Sequence, residues 1–99
     1  MNSRENEIII SFLKKHGAII IGIFGSTARG EQNKYSDVDI LVRFYEGAIL
    51  FDLVGLSDLL EDKLKIKVDI VSERALRPEL KDQILKEVVI IWQETKLFP

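Results

Sequence analysis

The chain has no cysteine, which removes disulfides, thiolate metal sites and cysteine nucleophiles together. It has a single histidine, His16, near the expected end of a helix, a place that suits an exposed side chain or one paired with the helix dipole. No apolar run approaches the ~20 residues of a membrane-spanning helix, and the opening MNSRENE lacks a signal-peptide pattern. Nor is there a basic surplus: the formal net charge is −2, unlike modules that wrap DNA or RNA. Lys63, Lys65, Lys67, Lys81 and Lys86 read as a solvated surface rather than a nucleic-acid stripe. No repeat, low-complexity tract or linker is present, and 46% apolar with 30% charged residues is ordinary globular composition. The expectation is one domain over residues 1–99, soluble and cytoplasmic, with no membrane or direct nucleic-acid contact.

What is present follows an order of short apolar strands and amphipathic helices. Asn2 or Ser3 can cap a first helix ending near His16 and Gly17, with Asn2 and Glu5 spaced as a capping box. AIIIGIF (18–24) is a buried strand by length and β-branched content. A glycine turn leads to a short helix around Thr27 to Gly30. VDILVRF (38–44) is a second strand with Val38, Ile40, Val42 and Phe44 on one face. Tyr45 to Gly47 turn the chain into a helix over 49–64, whose stripe is Ile49, Leu53, Leu56, Leu60 and Leu64. KVDIV (67–71) is a third strand. Pro78 suits the first turn of a last helix carrying Leu80, Ile84 and Leu85, and VVIIW (88–92) reads as a final strand. The pattern predicts a layered α/β domain, with the long helix allowing a parallel crossover between the second and third strands. Phe51, Trp92 and Phe98 are expected to close the core rather than form a partner surface. Tyr35 is left between packing and stacking on a base.

Asp37 and Asp39 stand at the mouth of the second strand and point the same way, opposite to Val38 and Ile40. Their Cα atoms are ~6.6 Å apart at strand rise. Asp69 sits in a matching context between Val68 and Ile70. If these strands are neighbours, Asp69 approaches Asp39 across ~4.8 Å. At ~5 Å each carboxylate pair repels by about 0.8 kcal/mol in water and ~3 kcal/mol at an effective dielectric of 20. A single such aspartate is most often a turn cap or an ion-pair partner. Three of them downstream of a glycine–serine turn point instead to hard divalent cations, with a pair of Mg²⁺ ions ~3.5–4 Å apart as the fitting arrangement. Gly25 and Ser26 precede the short helix, where backbone N–H groups bind phosphate and glycine permits close approach. The Ser26 hydroxyl can donate one more hydrogen bond. No Gly-Lys-Ser/Thr follows, so this is not a Walker loop, and Ser26 lacks the Gly-x-Ser-x-Gly context of a nucleophile elbow.

Gly25-Ser26, ten intervening residues and then Asp37-Val38-Asp39 resemble the signature of the DNA polymerase beta-type nucleotidyltransferases. The version GSTARGEQNKYSDVDI is most similar to the minimal nucleotidyltransferase (MNT) branch, which commonly supplies the antitoxin of HEPN–MNT toxin–antitoxin pairs. Similarity extends through LFDLVGLSDLLEDKL, KVDIVSERALRPELKDQIL and KEVVII. The resemblance implies a polymerase beta-like fold of α/β (α+β) class, a small mixed sheet with helices packed mainly on one face. It implies that Gly25 and Ser26 hold nucleotide phosphates and that Asp37, Asp39 and Asp69 bind the metals, Asp69 helping to activate the acceptor hydroxyl. Arg29 would steady a phosphate or brace the aspartates. The implied reaction is Mg²⁺-dependent transfer of AMP from ATP to a hydroxyl. The implied acceptor is a tyrosine of a partner HEPN toxin, within a homo- or hetero-oligomer. Two alternatives stand beside it: an antitoxin that blocks its toxin by binding alone, and a transferase acting on a small molecule.

Overall fold

The computed structural model describes residues 1–30, 37–47 and 52–95. Helix α1 (Ser3–Lys15) begins with the anticipated capping box. Glu5 N donates to Asn2 Oδ1 at 2.8 Å while Asn2 N donates to Glu5 Oε1 at 3.1 Å, so two otherwise orphaned donors are satisfied. His16 is its exposed C-cap, with Nδ1 2.9 Å from the Phe12 carbonyl oxygen.

Strand β1 (Ala18–Phe24) leads into a single turn of helix, α2 (Gly25–Ala28), and strand β2 covers Val38–Phe44. Helix α3 (Leu53–Leu64) then crosses to β3 (Val68–Ser72), and α4 (Pro78–Glu87) leads to β4 (Val89–Gln93). The sheet order is β3-β2-β1-β4. β1 is antiparallel to both neighbours, whereas β2 and β3 are parallel, a pairing that needs a crossover such as α3. The sheet is therefore mixed, as anticipated.

Two helix starts differ from the sequence reading. α2 starts at Gly25 rather than Thr27, because Gly25 takes a φ of 71° and turns the chain directly after Phe24. α3 starts at Leu53, where Asp52 Oδ1 accepts from Gly55 N at 2.7 Å. Residues 49–51, which were also assigned to this helix, lie outside the described residues, as do Tyr35 and Phe98.

The core lies between one face of the sheet and the packed pair α1 and α3. Ile9 and Leu13 of α1, Leu60 of α3 and Ile21, Val38, Ile40 and Val42 of the strands have almost no exposed surface. Trp92 packs against this cluster, so it closes the core as expected. α3 also covers the outer edge of β3: Val68 N donates to Glu61 Oε1 at 3.0 Å and Ile70 N to Ser57 Oγ at 3.2 Å. Edge amides that could recruit a foreign strand are thereby satisfied within the chain. α4 is different. It contributes no buried residue, and Leu80 and Leu85 stay exposed along with Val89 and Ile90 of β4. Among the described residues, no helix is long and apolar enough to cross a membrane.

Candidate active site

Two identical tripeptides meet in the sheet. The parallel register pairs Val38 with Val68, Asp39 with Asp69 and Ile40 with Ile70, so each VDI lies alongside the other. The valines and isoleucines are buried in the core. The strand's alternation then forces both aspartates onto the opposite face. Asp37 comes directly before β2 and is exposed, Asp39 is half-buried and Asp69 is exposed.

On its other side Asp39 pairs with Phe24, the last residue of β1. The next residue, Gly25, therefore sits against the Asp39 side chain, and a Cβ built there would run into Asp39 Oδ2. Its positive φ and this contact both require glycine. Because α2 has only one turn, its macrodipole is small. What it offers a ligand is the set of backbone N–H groups at its start. The Ser26 hydroxyl lies outside what is described. Arg29 caps the C-terminal end of α2, its N–H donating to the Gly25 carbonyl at 3.2 Å.

The electrostatics converge on Asp39. Burial raises its carboxyl above the ordinary 3.8, the charges of Asp69 and Asp37 push it further up, and the Arg29 guanidinium pulls it back. The charges of Asp37, Asp69 and Arg29 are thus all felt at the Asp39 carboxyl. Among the described residues, no three His, Asp or Glu side chains are gathered closely enough to hold a metal ion as they stand. The register makes Asp39 and Asp69 neighbours without drawing all three carboxylates into one cluster. Their chemistry, all anionic oxygen, is of the kind that suits hard cations such as Mg²⁺, Ca²⁺ or Mn²⁺.

Two further charged pairs were not visible in any motif. Arg29 Nη1 lies 3.4 Å from Glu87 Oε2 at the end of α4. Arg43, on the same face of β2 as Asp39, makes a fork to Glu73, with Nε donating to Oε2 at 2.6 Å and Nη2 to Oε1 at 2.7 Å. The hydrogen bond from Arg43 holds the Glu73 carboxyl below its ordinary 4.5, outweighing the opposing effect of burial. Glu73 and Glu87 stand 30 and 58 residues from their partners, so no local spacing could have revealed them. A groove of about 640 Å³ lined by Arg4, Ile8, Phe12 and Lys63 among others runs along α1, on the face of the sheet away from the aspartates.

A nucleotidyltransferase domain model matches residues 6–91. The chain belongs to the nucleotidyltransferase domain family. A Methanocaldococcus jannaschii relative, provisionally named a protein adenylyltransferase, is 51% identical over 87 residues, covering 85% of this chain and 94% of the relative. Protein adenylyltransferase MntA of Thermococcus cleftensis is 40% identical over 78 residues, covering 79% of each chain. Among solved structures, a toxin–antitoxin crystallised with AMP-PNP superposes with a TM-score of 0.80 at 26% identity, covering 92% of this chain and 75% of that one. This nucleotidyltransferase thus has the fold and family that its glycine–serine turn and paired aspartates implied.

Proposed function

We propose that this nucleotidyltransferase transfers AMP from ATP to a hydroxyl on a partner protein, a tyrosine of a HEPN toxin, and so acts as its antitoxin. The observation that carries the reading is the Asp39–Asp69 register directly beneath Gly25. That arrangement sets the Gly25 turn and a pair of carboxylates side by side. The names of the adenylyltransferase relatives and the AMP-PNP-bound toxin–antitoxin neighbour support the nucleotide and the partner class.

In this reading the backbone N–H groups of Gly25 and Ser26 bind phosphate oxygens, and Arg29 adds a cation at the far end of the same turn. The acceptor oxygen attacks the α-phosphorus, its bond to the α–β bridging oxygen breaks and pyrophosphate leaves. Asp69, exposed on the edge strand, accepts the hydroxyl proton. Asp37 and Asp39 are the residues that would hold Mg²⁺ together with Asp69, and Asp39, ionised at some cost beside two other carboxylates, gains most from a cation. Mg²⁺, when bound, supplies charge neutralisation for the triphosphate and for the developing alkoxide.

Incubation with the neighbouring HEPN chain, Mg²⁺ and labelled ATP tests the reading, with intact mass as the readout. The expected result is a partner heavier by one or more AMP groups, lost in the Asp37→Asn/Asp39→Asn variant. An unmodified partner whose toxicity is nonetheless neutralised would defeat it. One observation favours a second reading, neutralisation by binding alone: Leu80, Leu85, Val89 and Ile90 are large apolar residues left exposed. Under that reading the double variant neutralises the toxin at equal dose.

A further inference from the structure

Glu87 is the last residue of α4, a helix that carries none of Asp37, Asp39 and Asp69 and none of the Gly25 turn. Its carboxylate nevertheless reaches Arg29. Arg29 in turn closes α2, whose first residue rests on Asp39, and α2 packs against α4. A chain of contacts thus runs from α4 through Arg29 to the corner of the sheet where the turn and the carboxylates meet.

An arginine side chain has many rotamers, and a partner at its tip removes part of that freedom before any ligand arrives. We propose that Glu87 is a positioning residue that holds the Arg29 guanidinium beside the phosphate turn, so that the cation meets the nucleotide's phosphates already oriented. This rests on the nucleotide site described under Proposed function. Glu87 itself touches no phosphate.

Two consequences of removing the Glu87 charge oppose each other. Loss of orientation weakens nucleotide binding, whereas loss of a negative charge near a triphosphate strengthens it. The second effect does not depend on Arg29 and falls off over about 8–10 Å at ordinary ionic strength. The first acts at contact distance. The two side chains retain 45% and 28% exposure, which places the pair in the range of about 0.2–1 kcal/mol, up to about five-fold in affinity. The positioning role requires that orientation outweigh the lost repulsion, so its expected net sign is weaker binding.

The test is calorimetric titration of the whole chain with AMP-PNP and Mg²⁺, which needs no acceptor. Glu87→Gln should weaken binding about three- to five-fold, and Glu87→Asp should restore it to within about two-fold. In an Arg29→Gln background the Glu87→Gln change should no longer weaken binding, an outcome that general structural damage would not produce. Wild-type binding with Glu87→Gln equal or tighter overturns the positioning role alone. So does equal weakening in both backgrounds. A wild type that binds no AMP-PNP overturns the nucleotide site and this role with it.

Discussion

Replacing Asp39 by asparagine should stabilise the metal-free protein, which is the reverse of what removing a half-buried charged group from a sheet normally does. Asp39 lies opposite Asp69 and two residues after Asp37 in the chain. Carboxylates ~5 Å apart repel by about 0.8 kcal/mol in water and about 3 kcal/mol at an effective dielectric of 20. Partial exposure and the attraction of Arg29 keep the net near the lower end, about 1 kcal/mol. For a domain of this size that corresponds to about 4–8 °C in Tm. The pH dependence has a definite sign. The Asp39 carboxyl is raised above its ordinary 3.8 by burial and by the two neighbouring carboxylates. The folded state therefore holds this proton more tightly than the unfolded state, and the stability it contributes is complete below 3.8 and lost as pH rises through the raised value. Thermal melts in EDTA should show Asp39→Asn above the wild type at neutral pH, with the gap closing toward about pH 3.5 and narrowing in high salt. Trp92, the single tryptophan, packs against the core and gives the fluorescence signal. An asparagine variant that melts several degrees lower at neutral pH without metal would show that Asp39 is a structural residue, and the reasoning from repulsion would fail.

Gly25→Ala should cost about 1–2 kcal/mol for its left-handed backbone alone. It should also displace the Asp39 carboxylate, so both Tm and AMP-PNP affinity should fall; Gly25→Ala combined with Asp39→Ala should recover part of the stability and none of the binding. Gly22→Val should destabilise by about 1–3 kcal/mol in denaturant titration, because a Cβ at Gly22 meets Val88 and stands 3.3 Å from Ile90 Cδ1. Glu73→Gln should cost up to about 1 kcal/mol at neutral pH, since Arg43 keeps 46% of its side chain exposed. Because the Glu73 carboxyl is held below its ordinary 4.5, that stabilisation is present above 4.5 and lost as pH falls through the lowered value; wild-type and variant melts should converge in acid.

The strands were legible because their apolar alternation is dictated by burial on one face. Ala18–Phe24 and Val38–Phe44 begin and end where the sequence placed them, while β3 and β4 start one residue later than 67 and 88. The Asp39–Asp69 neighbourhood was legible conditionally, since the two VDI triplets could align only if their strands were adjacent, and the register made them so. The start of α2 was missed because only a backbone angle, the positive φ at Gly25, moves it forward. Glu73 and Glu87 were illegible for another reason: an exposed glutamate has no local pattern that names a partner on a distant element. The exposed Leu80 and Leu85 were equally hidden, since a 3.6-residue period says which residues share a helix face and not whether that face is covered.

The placement of β4 has a kinetic consequence. Ile20 pairs with Arg43 on one side and with Gln93 on the other, so the second closure spans a chain about three times longer and costs about 1 kcal/mol more in loop entropy. The hairpin-like pairing of β1 with β2 therefore forms first, and β1 keeps one margin bare until the final strand docks. During synthesis that margin cannot be filled before Gln93 has left the ribosome exit tunnel. Nascent chains stalled just short of β4 should thus be protease-sensitive and prone to aggregate through β1, however well their amino-terminal helix has formed.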